Sequence, residues 1–283
     1  MNNVFKIRNL KCKYASNERP VLEIDSLDIN EGSSTFFIGP SGVGKSTVLE
    51  TLGLMNNTVY QPKENNTTFD FKVNDALDVS MLELWDHKES EIADFRNEHL
   101  SFIFQNTNLF NTLSAFDNIA ITSILQGKSK KEADILTKDV VAKILGDVTA
   151  DKPIYELSGG QRQRIAFARA IVSDYTVLFA DEPTGNLDKG NAKRLMNILH
   201  NETETKTKII VTHDINLTLD FASQIVLIDR IKRKGKEDFF GQVNAETIFK
   251  KNPQDGKWYN ASNSYSNTEL MKLLDNKLYK KLH

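Results

Sequence analysis

One stretch of this 283-residue chain, Gly39-Pro40-Ser41-Gly42-Val43-Gly44-Lys45-Ser46-Thr47, matches the pattern G-x-x-x-x-G-K-[ST]. The apolar residues 35–38 precede it and predict a buried strand, and residues 45 to about 53 predict a helix. Glycines in this position let backbone N–H groups surround a phosphate, and the helix N-terminus adds positive potential. The stretch therefore predicts a nucleotide-phosphate site, in which Lys45 reaches the β- and γ-phosphates and the Ser46 hydroxyl ligates Mg²⁺.

Outward from this loop, short apolar runs alternate with helical patterns. Strands are predicted at residues 4–14, 21–29, 100–104, 176–180, 208–212 and 224–228, and helices at 86–97 and 162–172. Ser129 and Glu132 have the spacing of a capping box, and an apolar stripe at Leu136, Val140 and Ile144 follows, which we expect in the core. Strands that alternate with helices favour the α/β class, with a mostly parallel sheet.

Two regions lack such a pattern. Residues 56–66 are polar and rich in Asn, and predict an irregular loop. Beyond residue 231 the chain becomes polar and rich in lysine, with a helix predicted at residues 267–282. These lysines could contact anionic lipid, although a solvated tail is the simpler interpretation.

Composition excludes several classes of protein. A net charge of −2 provides no global basic field for nucleic acid, so no nucleic-acid partner is expected, although the composition leaves a local basic patch open. One cysteine, Cys12, cannot form an internal disulfide or a zinc cluster, which fits a reducing cytoplasmic setting. No stretch approaches the ~18 apolar residues of a membrane span, and Lys6 and Arg8 make the first ten residues unlike a signal peptide. A role at a membrane would therefore require docking on a partner.

A second pattern, Val177-Leu178-Phe179-Ala180-Asp181-Glu182, is an apolar strand that ends in two carboxylates. It is typical of the metal-side strand that accompanies a phosphate loop in nucleotide hydrolases. We expect Asp181 to hold Mg²⁺, directly or through water, and Glu182 to polarise the attacking water. An acid that caps a helix is the alternative, and the phosphate loop makes it the weaker one.

A third motif, Leu157-Ser158-Gly159-Gly160-Gln161-Arg162-Gln163-Arg164, resembles the signature of ABC ATPases. Its two glycines again expose backbone donors at a helix start. In that family the signature contacts the γ-phosphate of ATP held by the opposite subunit. The resemblance therefore implies that Ser158, Gly159, Gly160 and Gln161 bind nucleotide, with two ATP molecules sandwiched in a head-to-tail dimer.

Further positions match this family in the expected order. Gln105 lies where the family has a glutamine that contacts Mg²⁺ and water and couples to the membrane partner. The stretch Asn186-Leu187-Asp188 resembles the loop that crosses the dimer interface, and His213 resembles the histidine near the γ-phosphate. Tyr14, 25 residues before Gly39, lies where an aromatic ring stacks on adenine, with a core tyrosine as the alternative.

The resemblance covers roughly residues 4–230 and implies an ABC-type P-loop NTPase fold. We expect an N-terminal antiparallel β-subdomain, a mostly parallel core sheet and an α-helical signature subdomain at about 106–160, with residues 231–283 as a C-terminal extension. The sequence of residues 181–188 resembles that of ATPases paired with permeases for lipoprotein release, macrolide efflux or cell division. Residues 56–95 lack the family's glycine-containing β-turn, and Arg230 stands where the family has glycine.

The resemblance implies an ATP-binding and ATP-hydrolysing, Mg²⁺-dependent subunit, in a homodimer, that powers a separate integral membrane permease. Such a subunit would lie in the cytoplasm, on the inner face of the cell membrane. One alternative is a soluble ABC ATPase that acts on DNA or ribosomes, but the chain has neither sustained heptads nor a second motif set. Another is a regulatory module without useful hydrolysis, which Glu182 and His213 argue against.

Overall fold

The computed structural model describes residues 2–60, 66–73, 77–145, 150–185, 187–203, 205–235 and 238–279. The chain divides into two compact units: Met1–Ile92 with Thr207–His283 forms the first, and Ala93–Lys206 the second. Within the described ranges, no helix is both long enough and apolar enough to span a bilayer.

The strands in chain order are β1 (Asn3–Cys12), β2 (Leu22–Asn30), β3 (Ser34–Ile38), β4 (Val59–Tyr60), β5 (Thr68–Val73), β6 (Leu77–Ser80), β7 (Leu100–Ile103), β8 (Val177–Asp181), β9 (Thr207–Val211), β10 (Gln224–Leu227), β11 (Asp229–Lys232), β12 (Phe239–Val243), β13 (Ile248–Lys251), β14 (Trp258–Tyr259) and β15 (Ser264–Tyr265). The helices are α1 (Lys45–Leu52), α2 (Met81–Leu84), α3 (Glu89–His99), α4 (Ala115–Leu125), α5 (Lys130–Ile144), α6 (Gly159–Ile171), α7 (Lys189–Glu202), α8 (Ile215–Phe221) and α9 (Asn267–Tyr279), with short 3₁₀ helices at Ile154–Glu156 and Ala245–Thr247.

The first unit contains the expected antiparallel subdomain. Its strand order is β11-β12-β2-β1-β5-β6, with β4 beside β1. Every neighbouring pair is antiparallel except β12 and β2, which are parallel. Phe5 of β1 lies opposite Phe71 of β5, and their ring centroids are 5.2 Å apart in an edge-to-face arrangement within the core. Strands β5 and β6 were not predicted, although Phe69, Phe71 and Val73 alternate with polar residues in the pattern of a half-buried strand.

A second sheet of this unit carries the phosphate loop. Strands β10, β3 and β9 are parallel, with Phe36 opposite both Ile225 and Ile210. Strands β13, β14 and β15 continue the sheet beyond β10 in antiparallel order. All five side chains of β3 are buried, including the polar Ser34 and Thr35, as expected for a parallel strand that is covered on both faces.

The C-terminal residues are part of this unit and do not form a solvated tail. Trp258 is fully buried, and its indole N–H donates to Asn267 Oδ1 at 2.7 Å, where α9 begins. Leu270 and Leu274 are the buried residues of α9, which packs on α8. A few large apolar side chains thus order a polar segment; Lys280 and Lys281 lie outside the described residues.

The second unit consists of the parallel strands β7 and β8 and a group of helices in which α4, α5 and α6 pack on one another. Helix α5 begins with the predicted capping box of Ser129 and Glu132. Val140 and Ile144 are buried, as expected, but Leu136 is 37% exposed and Thr137 takes its place in the buried face. The predicted stripe was therefore wrong by one position at its start.

Candidate functional site

The phosphate loop connects β3 to α1 in the first unit. Gly42 and Gly44 have φ angles of 74° and 104°, a backbone region that residues with a Cβ rarely adopt. Gly44 is also the N-cap residue of α1 and has no side chain that could occupy the first N–H groups of the helix. Gly39 and Val43 are buried, whereas Ser41 is exposed and Pro40 half-buried. Loops with glycines in this conformation at a helix N-terminus can bind an anion through backbone N–H groups.

Lys45 lies over the same loop. Its ammonium donates to the carbonyl oxygens of Gly39 at 2.8 Å and Pro40 at 3.0 Å. An ammonium held at these carbonyls is at the loop that the phosphates would enter, so it can exchange carbonyl contacts for phosphate oxygens. Ser46, the next residue, is exposed in the first turn of α1, while Thr47 is buried.

Tyr14 lies just beyond β1 and is tied to α1. Its hydroxyl is 3.0 Å from Thr47 Oγ1 and donates to Glu50 Oε2 at 2.9 Å. Burial is the main cause that raises the pKa of Tyr14, so the phenol remains protonated and able to donate. The side chain is half-buried rather than part of the core. Both contacts fix the ring beside the helix that follows the phosphate loop.

His213 follows β9 at the carboxyl edge of the parallel sheet. Because β3 and β9 are parallel, with Phe37 opposite Val211, the phosphate loop and His213 leave the sheet at the same edge. The next residue, Asp214, caps α8 by accepting from the Leu217 N–H at 3.0 Å. The His213 side chain itself is exposed. Ligand sites of open α/β sheets lie at this edge.

In the second unit, β8 ends at Asp181, and the chain then turns sharply at Glu182. Glu182 has a φ of 43°, in the left-handed region. Holding a residue with a side chain in a sparsely populated region costs about 1–3 kcal/mol, and such residues cluster at functional sites. Both carboxylates are partly exposed. The Pro183 carbonyl that follows accepts from Gln163 Nε2 of α6 at 2.7 Å, which fixes the turn.

The signature residues form the start of α6. Ser158 is the N-cap, and its hydroxyl accepts from the Gln161 N–H at 3.3 Å. The Gln161 side chain in turn accepts from the Ser158 N–H at 2.9 Å, which completes a capping box. Gly159 is exposed with open space around it, and Gly160 faces Leu187. The motif therefore presents the N-terminus of a helix at the surface of its unit.

Helix α6 also holds the loop that begins with Gln105. The exposed Gln105 follows β7. The guanidinium of Arg169 donates to the carbonyls of Thr107 and Asn108, each at 2.8 Å, and burial lowers the pKa of Arg169. Asn118 of α4 accepts from the Phe110 N–H at 2.8 Å and donates to its carbonyl at 3.0 Å. Sequence reasoning missed Gln163, Arg169 and Asn118; the signal was their polar character on helices with buried faces.

Asp188 caps α7. Its carboxylate accepts from the Asn191 N–H at 3.0 Å and from the Asn191 side chain at 2.6 Å. The backbone bond from Asn191 is the main cause that lowers the pKa of Asp188, so the carboxylate is charged near neutral pH. Asn186, the first residue of the predicted interface loop, lies outside the described residues. Asp188 thus has a clear structural role in the isolated chain.

The oxygen-bearing side chains near the proposed site suit a cation that is bound together with a nucleotide better than an ion held by protein ligands alone. Across the described residues, no group of three or more His, Cys, Asp or Glu side chains could hold an ion by itself. Mg²⁺ at nucleotide sites takes most ligands from phosphates and water and needs one or two hard oxygens from the protein. The exposed Ser46 hydroxyl and the Asp181 carboxylate have that chemistry.

The chain matches known proteins over most of its length. The model of the ABC transporter family matches residues 22–185. The chain is 37% identical over 219 residues to the lipoprotein-releasing system ATP-binding protein LolD of Aquifex aeolicus, which covers 77% of this chain and 90% of that protein. It is 32% identical over 229 residues to the macrolide export ATP-binding/permease protein MacB of Mannheimia succiniciproducens, covering 80% of this chain and 33% of that protein.

A solved structure has a similar fold. The dimeric, post-hydrolysis structure of the ATP-binding cassette MJ0796, bound to ADP and Pi, superimposes with a TM-score of 0.65 at 29% identity. The match covers 79% of this chain and 93% of that chain. The predicted fold class is thereby confirmed.

Proposed function

The chain belongs to the ABC transporter family, and from this premise we propose how its residues bind and hydrolyse ATP. It is an ATP-binding and ATP-hydrolysing subunit of an ABC transporter, which acts as a dimer of cassettes together with a separate membrane permease. The observation that carries the residue-level proposal is the phosphate loop, whose glycine backbone and Lys45 ammonium converge on the N-terminus of α1.

Binding begins with the first unit. The N–H groups of residues 41–47 take the β- and γ-phosphates, and Lys45 exchanges its bonds to Gly39 and Pro40 for phosphate oxygens. The ring of Tyr14, held by Thr47 and Glu50, provides an aromatic face for adenine. The positive potential of the helix N-terminus favours the charged phosphates over an uncharged ligand.

Ser46, Asp181 and Gln105 are the residues we assign to Mg²⁺, since each offers an oxygen and none is fully buried. When bound with the nucleotide, the ion would offset charge on the β- and γ-phosphates. The chain's own contribution is to hold these oxygens: Ser46 on the first turn of α1, Asp181 at the end of β8, and Gln105 after β7.

Hydrolysis needs a base for water. Glu182 is our candidate, because its left-handed backbone, fixed through Pro183 and Gln163, holds the carboxylate at the end of β8. A carboxylate can accept the proton of the attacking water. We assign His213, at the edge where the phosphate loop leaves its sheet, to the γ-phosphate.

The dimer we propose is a head-to-tail homodimer. Ser158, Gly159, Gly160 and Gln161 form an exposed helix N-terminus that suits the γ-phosphate of ATP on the second subunit. Asp188, charged near neutral pH, would lie at the same interface. Through the permease, the dimer would reside on the cytoplasmic face of the cell membrane.

Lys45→Ala tests the assignment directly. We expect loss of ATP hydrolysis and of nucleotide binding, because Lys45 is the cationic side chain of the phosphate loop, residues 39–47. Phosphate release and binding of a fluorescent ATP analogue would be measured, with Lys11→Ala as the matched control, since Lys11 pairs with Glu23 on the first sheet. Normal turnover by Lys45→Ala would exclude the phosphate-loop assignment.

A further inference from the structure

Two residues beyond those matched by the family model, Arg233 after β11 and Gly241 of β12, contact the loop after Tyr14 and the phosphate loop. Strand β12 pairs in parallel with β2, with Gly241 opposite Leu22. The Gly241 N–H donates to the Val21 carbonyl at 2.9 Å, at the end of the loop that starts at Tyr14. The strands are therefore adjacent to that loop through the backbone itself.

Gly241 is buried against the phosphate loop. A Cβ at this position would lie far inside van der Waals contact of the Val43 carbonyl oxygen, and 2.7 Å from Ile228 Cγ2. Val43 is the middle residue of the phosphate loop, and a carbonyl is backbone that cannot rotate away as a side chain does. Any side chain at residue 241 must therefore displace the phosphate loop or β12.

Arg233 ties the same region to the other side of the site. Its guanidinium donates to the Pro20 carbonyl, and its Nε lies 3.2 Å from Asp238 Oδ2. The guanidinium carbon also stacks over the Phe240 ring at 4.4 Å, and the side chain is only 17% exposed. Pro20 belongs to the loop between Tyr14 and β2. A nearly buried cation therefore fixes the loop that starts at Tyr14, the residue proposed to stack on adenine.

We propose that two residues, Gly241 of β12 and Arg233 after β11, position the two loops for ATP. Gly241 sets the position of the phosphate loop, and Arg233 sets that of the loop after Tyr14. The inference rests on the proposed roles of these two loops in nucleotide binding. It is consequential because a displacement of about 1 Å in a site can lower activity by about 100-fold.

The two residues act on different parts of the ligand, which makes the inference testable with two probes. Full-length Gly241→Ala and Arg233→Met would be titrated calorimetrically with Mg-ATP and with inorganic triphosphate, which lacks the base and ribose. We expect Gly241→Ala to weaken binding of both probes by about tenfold or more. Arg233→Met should leave triphosphate affinity unaltered. In steady-state assays of phosphate release, it should raise KM for ATP by about tenfold with kcat nearly unchanged.

Matched controls come from the same two strands. Gln242→Ala places alanine on the residue next to Gly241, and we expect no change with either probe. Arg230→Met removes an arginine that stacks on Phe239 at 4.1 Å, and should leave KM for ATP as in the wild type. Arg233→Lys keeps one donor for Pro20 and should restore part of the ATP affinity that Arg233→Met loses.

Several results would overturn the inference. They are a folded Gly241→Ala with wild-type affinity for both probes, or an Arg233→Met that weakens triphosphate as much as ATP or weakens neither. If thermal unfolding shows that Gly241→Ala does not fold, the comparison of Arg233→Met with Arg233→Lys decides the matter. A wild-type chain that binds no ATP would refute the proposed function instead, which separates the two failures.

Discussion

The phosphate loop and helix α6 support the proposed chemistry in different ways. At the phosphate loop, backbone groups and one ammonium face the ligand, and the glycines permit φ angles of 74° and 104°. Along α6, side chains hold other loops: Gln163 fixes the turn after Glu182, and Arg169 fixes the loop after Gln105. The phosphate loop depends on glycines, which have no side chain, whereas α6 acts through the polar side chains that it carries.

This difference predicts where substitutions affect chemistry and where they affect order. A change of a reacting group should lower turnover without affecting stability. A change of a positioning side chain on α6 should lower both.

Glu182→Gln should have the largest effect. The amide keeps the size and the fixed turn but cannot accept a proton, so we expect turnover to fall by about 100- to 10,000-fold. ATP binding should persist, and an ATP-bound dimer should accumulate in light scattering. Glu98→Gln is the control, since the Glu98 side chain is 76% exposed. Full turnover by Glu182→Gln would remove Glu182 as the base.

Arg169→Met should affect stability and turnover together. It removes two hydrogen bonds from a charged donor to the carbonyls of Thr107 and Asn108, each of a kind that contributes about 1.5–3 kcal/mol. We expect a lower midpoint in thermal unfolding and a lower rate of phosphate release. Arg169→Lys keeps the charge without the planar fork and should recover part of both. A variant that loses turnover but unfolds as the wild type would place Arg169 with the reacting groups and break the distinction.

The sequence predicted the two regions to different extents, for the same physical reason. The phosphate loop could be read almost completely, because its geometry requires glycines, and a requirement for glycine is visible in the sequence. Gln163 and Arg169 could not be assigned, because the carbonyls they bind belong to residues 20 to 62 positions away in the chain. Trp258 and Phe249 likewise order a C-terminal segment whose composition is polar.

Tyr14→Ala should weaken ATP affinity by ~1–3 kcal/mol if the ring stacks on adenine. Tyr14→Phe sharpens the test, because it keeps the ring and removes only the hydroxyl contacts with Thr47 and Glu50. We expect Tyr14→Phe to retain most of the affinity. Dissociation constants for Mg-ATP would be measured for both variants. Equal losses would mean that the hydroxyl, rather than the aromatic face, matters, and unchanged affinity in both would place Tyr14 outside the site.

Ser129→Ala should have the smallest effect, because we expect it to change stability but not turnover. Ser129 and Glu132 form a capping box at the start of α5, like that of Ser158 and Gln161 at α6. Loss of an N-cap costs about 0.5–2 kcal/mol, so the unfolding midpoint should fall while KM and kcat stay near wild-type values. Ser158→Ala removes an equivalent cap and should lower stability by a similar amount, but it should also lower turnover. Equal kinetics in the two variants would leave Ser158 with a capping role only, and the signature would lose its proposed contact with the nucleotide.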